Sequence, residues 1–334
     1  MTMTLNPLES MRARAADATA GLFAHDAYPL AQSLDHAGDP GLFGPGSPTW
    51  LISGDVATFV GGIRALLIQA AHPEVVAGVD DHSMYEEDPL GRLSRTSSYV
   101  TATAFGATPE VEQAIARVRR AHVPVKGTSH RGTRYSASGS PFASWVHNVL
   151  TESFLVTNQY YGRVVLEQDA ADAYAAEQTE LGAMLHARDL PDTADSLADW
   201  IASHPDVAPS PGMERTVAFL RNPPLPTGIA AGYRVLYQAA VATIPERIRG
   251  ILGVSSIPGA ELAGRQMIGA LRWTMGSSPS WWLALERTGA AFPEGVHFRR
   301  PPPAVGVEPR WQAFVEGTDR VIVSSAGQDS DVRS

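Results

Sequence analysis

The sequence contains no cysteine in its 334 residues. This absence excludes disulfide bonds, catalytic thiolates, zinc–thiolate sites, iron–sulfur clusters and any prosthetic group that a thiolate would ligate or a thioether would attach. A metal ion or cofactor, where one is bound, must therefore be held by histidine, carboxylate, hydroxyl or backbone carbonyl groups.

Basic residues are few. Lysine and arginine together number 26 against 35 aspartates and glutamates, which gives a formal net charge of -9 and a pI of about 5.6. Nucleic-acid binders rely on basic side chains to neutralise phosphates, so we expect no nucleic-acid partner. The first 19 residues also lack the apolar segment of a signal peptide. The sequence therefore predicts a cytoplasmic protein.

Long apolar runs are scarce, and the longest extends from Trp50 to Ala71. Asp55 and Arg64 lie inside it, which is unfavourable for an integral membrane segment. Its apolar residues recur at helical spacing, at Val56, Val60, Ile63 and Leu67. The run is predicted to be one buried core helix that ends at His72-Pro73, because a proline disfavours helix in the residue before it.

Alternating strand patterns and a glycine-rich dinucleotide motif are also lacking. Helical patterns fill the chain instead, and the later ones cover residues 170–189, 197–201, 214–220, 230–244 and 257–274, with a tight connection at 245–254. We predict an all-α protein with a single large helical domain at 49–290. An N-terminal arm at 1–48 and a loop-rich tail at 291–334 flank it.

Three helix-start signals are present in the middle of the chain. Each is a capping residue followed by proline: Asp88-Pro89, Thr108-Pro109 and Ser140-Pro141. The polar stretch 128–139 between the second and third predicted helices has the composition of a loop.

Two histidines lie on apolar faces of these helices. His122 follows Val111, Ile115 and Val118 at helical spacing, and His147 shares a face with apolar residues of the third helix, Leu150, Phe154 and Tyr161. An imidazole in such a position is either a core residue that a backbone carbonyl satisfies or a metal ligand. Periodicity leaves both readings open.

The first of the three helices carries a basic and hydroxyl-bearing face. Arg92, Thr96 and Tyr99 share one side, and Arg95 lies next to Thr96. This pattern is typical either of a charged pocket wall or of an exposed arginine pair, and spacing favours neither.

A family resemblance rests on these same residues. The motif DPxGRLxRT occupies 88–96, Phe105-Gly106 follows, AHVPVKG surrounds His122, and Trp145-Val146-His147 lies in the third helix. With these motifs the chain resembles the DUF2236 family, the catalytic domain shared by latex-clearing rubber oxygenases and MpaB-type oxygenases. The likeness covers roughly residues 45–260.

The resemblance implies a globin-like helical core that encloses haem b, held by one proximal histidine. Carried over by position, the iron ligand is His122, and Arg92 and Thr96 lie beside the haem. Arg95 stands where rubber oxygenases have a lysine, and the two side chains differ in reach and hydrogen-bond geometry. His147 is the competing candidate, as a sixth ligand, a pocket residue or a partner of a propionate.

The expected function is thus a haem-dependent oxygenase that activates O₂ or peroxide at histidine-ligated iron and acts on an apolar small molecule. Arg92, Arg95 and Thr96 are the predicted catalytic residues, because arginines stabilise developing negative charge. Two alternatives stay open: a non-catalytic haem-binding or gas-sensing protein, and a haem-free helical binding protein.

Overall fold

The computed structural model describes residues 10–14, 16, 28–83, 89–296 and 298–302, and helices dominate them. From Pro48 onward the α-helices are α1 (Pro48–Gly54), α2 (Thr58–Ala70), α3 (Pro73–His82), α4 (Pro89–Phe105), α5 (Thr108–His122), α6 (Ser140–Tyr161), α7 (Gln168–Met184), α8 (Ala194–Ser203), α9 (Pro211–Arg221), α10 (Thr227–Ala242), α11 (Glu246–Leu252), α12 (Ala260–Met275) and α13 (Pro279–Thr288). A 3-10 helix, Ser33–His36, precedes them, and β1 (Lys126–Thr128) pairs antiparallel with β2 (Arg134–Ser136). The all-α prediction is confirmed.

The prediction of one helix from Trp50 to Ala71 is wrong. The run forms two helices, α1 and α2, whose axes differ by 97°. The break falls at Asp55, whose carboxylate accepts hydrogen bonds from the backbone N–H of Ala57 at 2.8 Å and of Arg163 at 3.0 Å. A short acidic side chain that binds backbone donors in this way competes with the helix for them. Arg272 completes the corner with a 2.8 Å ion pair to Asp55.

In the part of the chain that the structure describes, no single helix has the length and apolarity needed to cross a bilayer. The bent pair α1 and α2 meets that test by length and composition when the two helices are taken together.

The predicted helix starts are correct in position, but their capping differs. α5 begins at Thr108, yet its hydroxyl and its backbone N–H both donate to Asp39, at 3.0 and 2.8 Å. The free N–H of Ala107 is instead satisfied by Glu110, at 2.8 Å. α6 begins at Ser140 without a side-chain cap, and the predicted cap Asp88 of α4 lies outside the described residues.

Two segments predicted as connections are regular structure. Residues 246–252 form the short helix α11, which ends at Gly253 in a left-handed conformation with φ 63°. The predicted loop 128–139 contains strand β2 and part of β1, joined by a turn in which Gly132 has φ 79°. Neither segment has enough residues for a period to be recognised from sequence.

The crossing of α2 and α6 forms the centre of the fold. Gly61 of α2 faces α6 so closely that an added Cβ would lie 2.5 Å from a ring carbon of Phe154. One turn later Arg64 forms a buried ion pair with Glu152, with a second contact of 2.8 Å between Arg64 Nη2 and Glu152 Oε1. Arg64 also donates to Ser153 Oγ at 2.8 Å and to the carbonyl of Thr243 at 3.1 Å, which connects α10 to the crossing.

The segment before α1 is attached to the end of the chain through Arg287 of α13. This buried guanidinium donates to the Ser33 hydroxyl and to the Phe105 carbonyl at 2.6 Å each, and to the Asp39 carbonyl at 2.8 Å. The described part of the predicted arm therefore packs against α13 and the C-terminal end of α4. The proposed domain boundaries stay a prediction.

Replacing Glu152 by leucine should lower the free energy of unfolding by about 3–5 kcal/mol, because the Arg64 charge would remain buried without its partner. Arg215→Ala is the matched control, since its ion pair with Asp80 is exposed on the arginine side and should contribute only about 0–1 kcal/mol. Urea denaturation followed by far-UV circular dichroism measures both. Equal losses in the two variants would contradict a structural role for the buried pair.

Candidate functional site

A small cavity lies between α4, α6 and α7. Its volume is about 30 Å³, enough for one or two water molecules. Tyr99 and Thr103 line it from α4, His147 and Thr151 from α6, and Gln178 from α7. None of the described residues that line it carries a charged side chain. Burial raises the pKa of Tyr99 further above its ordinary value, so its hydroxyl is neutral as well. The cavity is therefore a neutral environment, suited to an uncharged ligand.

His147 is the buried histidine of this cavity, with 6% of its surface exposed. Its Nε2 lies 2.7 Å from the carbonyl oxygen of Gln178, so Nε2 carries the proton and donates it. Burial lowers the pKa of His147 to about 4, and the Gln178 carbonyl opposes part of that shift. The predicted inward position is confirmed. Nδ1 is the only nitrogen of this neutral imidazole that a metal ion could use without displacing Gln178.

Helix α7 approaches His147 at Gly182. A Cβ at that position would lie 2.7 Å from Cδ2 of the imidazole. The neighbouring Gln178 side chain donates to the Thr49 hydroxyl at 2.8 Å and so links α7 to α1. Sequence periodicity identified α7 as a helix but not these contacts, because nothing local specifies which residue of α7 meets a given residue of α6.

His122 is the last residue of α5 and is half-buried. Val111 and Ile115 of the same stripe are buried, whereas Val118 is half-buried, so the apolar face becomes more exposed toward His122. Burial lowers the pKa of His122, which keeps the imidazole neutral at pH 7. Among the described residues, no side chain or backbone group forms a hydrogen bond with the His122 ring. An imidazole in this state has a lone pair available for a metal ion.

The predicted catalytic residues of α4 lie outside the cavity. Arg92 is half-buried and donates from Nη1 to Ser83 Oγ at 3.2 Å. Arg95 and Thr96 are exposed, and the Thr96 hydroxyl donates to the Arg92 carbonyl at 3.1 Å. The cavity is lined by the next turns of the same helix, beginning at Tyr99.

The connection between α4 and α5 brings Arg92 and His122 to the same end of the molecule. The two helices pack against each other and are joined by only two residues, Gly106 and Ala107. Such a short connection makes them an antiparallel helical hairpin, so the first turn of α4 lies beside the last turn of α5. Arg92, Arg95, Thr96 and His122 therefore share the open end of the hairpin, while His147 lies further along α4.

The buried state of His147 predicts a loss of stability in acid. In the unfolded chain this histidine is protonated below about pH 6.5, whereas in the folded protein it stays neutral down to about pH 4. The unfolded state therefore binds more protons in this window, and the free energy of unfolding falls as the pH drops through it. His147→Gln should reduce this loss by about 2–3 kcal/mol between pH 7 and pH 4. Denaturant titrations at each pH measure the slope.

His130→Gln provides the control, because His130 is exposed and is surrounded by water in both states. Its stability should follow the wild-type pH profile. An unchanged slope in His147→Gln would show that the buried imidazole does not cause the acid loss.

The comparison with known families identifies an oxygenase catalytic domain. The profile of the family described as "ER-bound oxygenase mpaB/B'/Rubber oxygenase, catalytic domain" matches residues 50–273, which includes α1 through most of α12. No curated protein and no solved structure matches the chain significantly. Because the family match covers more than half of the chain and contains the α4–α5 hairpin and His147, the protein belongs to this family of oxygenase catalytic domains.

Proposed function

We propose that the protein is a haem b-dependent oxygenase that acts on an apolar small molecule, with His122 as the iron ligand. The oxidoreductase class follows from the family, whose description names an oxygenase catalytic domain. The observation that carries the haem assignment is His122 itself, a neutral, half-buried imidazole at a helix end with no hydrogen-bond partner among the described residues. Bound haem supplies the redox-active iron at which O₂ or peroxide is activated.

The residues fit haem in their chemistry, at the open end of the α4–α5 hairpin. The cavity near His147 is far too small for haem, since its volume of about 30 Å³ compares with roughly 300–1,000 Å³ for pockets that hold drug-sized ligands. In addition, the Nε2 atom of His147 is already bound to Gln178. His122 is free of both restrictions, which favours it as the ligand over His147.

The neighbouring groups of α4 suit the polar edge of such a cofactor. Arg92 and Arg95 place two positive charges at the end of the hairpin that carries His122, where they would bind carboxylates such as haem propionates. Thr96 lies on the same side of the helix as Arg92, and its hydroxyl donates to the Arg92 carbonyl at 3.1 Å. Together the three residues would orient the cofactor and keep positive charge beside the reacting oxygen.

The cavity wall supports an apolar substrate. Val100, Leu150 and Phe154 contribute apolar surface, and the polar groups present, such as Thr151, are uncharged. A charged group that faced this wall would lose its hydration without gaining a partner. The cavity itself holds only one or two water molecules, so the character of its wall, and not its volume, supports an apolar substrate.

Haemin titration of the untagged protein should produce a Soret band in the wild type and in His147→Ala, but not in His122→Ala. The reason is that the His122 ring has no hydrogen-bond partner among the described residues, whereas Nε2 of His147 is bound to the Gln178 carbonyl. Visible absorption spectra read the result, and circular dichroism verifies that each variant is folded. Loss of the Soret band in His147→Ala alone would identify His147 as the iron ligand. A folded wild type that takes up no haemin would favour the haem-free alternative.

Arg95→Ala should reduce substrate-dependent O₂ consumption by about tenfold or more, whereas Arg95→Lys should retain most of it, because the lysine keeps the positive charge. Arg95 is exposed, so neither change should affect folding. Oxygen-electrode assays with apolar alkenes and aromatic compounds measure the rates. Haem binding without turnover on any of these substrates would favour a carrier or sensor. Equal rates in Arg95→Ala and Arg95→Lys would exclude a role for the positive charge of Arg95.

A further inference from the structure

Three potential metal ligands meet on the other side of α6. His72 lies at the break between α2 and α3, while His204 and Asp206 lie in the connection that follows α8. One nitrogen from each imidazole and one oxygen of the carboxylate are all within 4.8 Å of one another. Sequence patterns mark His72 only as a helix end, and they do not single out His204 or Asp206.

The two histidines share a local sequence feature. Each precedes a proline, in His72-Pro73 and His204-Pro205, and each has an extended backbone, with ψ 111° and 126°. A proline disfavours helical conformation in the residue before it, so both histidines are held just outside a helix. This feature places the imidazoles at helix ends, but only the packing of α3 and α8 against α6 brings them together.

His72 is buried to 97%, with 3% of its surface exposed, and its Nδ1 has no hydrogen-bond partner among the described residues. Glu74 Oε2 lies 3.4 Å from this Nδ1, close enough to orient the ring. Metal-bound imidazoles commonly have a carboxylate beside their second nitrogen, which sets the tautomer and the ring orientation. The other nitrogen of His72 is then the one available for a ligand bond.

The carboxylate of Glu74 is itself held in place. Arg131 binds it through both oxygens, with Nε 2.8 Å from Oε1 and Nη2 2.5 Å from Oε2, and Ser129 Oγ donates to Oε1 at 2.7 Å. The positive charge of Arg131 is thereby neutralised by Glu74. Arg131 also donates from Nη2 to the backbone carbonyl of Asp206 at 3.3 Å, which leaves the Asp206 carboxylate for a cation.

His204 is fixed in a similar way. Its Nδ1 accepts the backbone N–H of Asp206 at 3.3 Å, which leaves Nε2 for a further partner. Its ring packs against two tryptophans, with centroids 4.6 Å from both Trp145 and Trp200. The positively charged Arg247 lies near the His204 ring, and its Nη1 donates to the carbonyl of Ala202 at 3.1 Å.

We propose that His72, His204 and Asp206 form a binding site for a divalent first-row transition-metal ion, with Glu74 orienting His72. Two imidazoles and one carboxylate form the ligand set of many zinc sites and of non-haem Fe²⁺ sites, and this set leaves coordination positions open. Imidazole ligands favour these ions over Mg²⁺ and Ca²⁺. The site is independent of the haem proposal, because Trp145 and His147 are two residues apart and project from different faces of α6.

Binding requires only a local adjustment. Metal–ligand distances of about 2.1 Å bring ligand atoms to roughly 3–3.5 Å from one another. Asp206 is exposed, so its side chain can move toward the two imidazoles without disturbing the core. The ion would then fasten the segment after α8 to the start of α3.

Titration of the untagged, EDTA-treated protein with Zn²⁺ or Co²⁺ should show one equivalent of bound metal by calorimetry. Co²⁺ should also give a visible absorption band of nitrogen and oxygen coordination, and Mg²⁺ should not compete. Asp206→Asn and His204→Ala should each weaken the affinity by at least about tenfold. Neither variant removes a core side chain, so both should stay folded.

Asp192→Asn and His130→Ala are the matched controls, since both residues are exposed and lie outside the cluster. They should bind the metal with wild-type affinity, and haemin-loaded protein should bind it equally well. A folded wild type without one stoichiometric site, or unchanged affinity in both Asp206→Asn and His204→Ala, would overturn the proposal.

Discussion

The buried ion pair of Arg64 and Glu152 is the constraint on which the rest of the helical arrangement depends. Two charges inside a core are tolerated only when geometry satisfies them, and here Ser153 and the Thr243 carbonyl complete the set around the guanidinium. A slide or rotation of α2 against α6 would separate the charges in a low-dielectric interior. The pair therefore determines the register of α2 on α6, and Gly61 permits the close approach that this register requires.

Both candidate sites derive their geometry from this crossing. α6 presents His147 to α7 on one face and packs Trp145 against His72 and His204 on another. His72 follows directly from the end of α2, so its position relative to α6 is set by the same register. This member of the oxygenase family therefore has a neutral cavity on one side of its central helix, α6, and a polar histidine cluster on the other side.

The sequence predicted much of the helical architecture because its signals are local. Proline positions predict the starts of α5 and α6 and the end of α2 before Pro73. Apolar spacing predicts the burial of His147. The bend at Asp55 could not be predicted, because its cause is an ion pair with Arg272 and a hydrogen bond from the backbone of Arg163, both distant in sequence. The predicted role of Thr108 as the cap of α5 was wrong for the same reason, because the Thr108 hydroxyl and backbone N–H are bound by Asp39, which is distant in sequence.

The sequence by itself determined the fold class, the helix faces and the chemical types of ligand that a cysteine-free chain can offer. Tertiary structure decided which of those ligands meet. It bound His147 to the Gln178 carbonyl and brought His204 and Asp206 to His72. It also placed His122 at the end of its hairpin, where no described residue forms a hydrogen bond with its ring. Periodicity specifies the direction in which a side chain points from its own helix, whereas the partner it reaches depends on packing between helices that are remote in the chain.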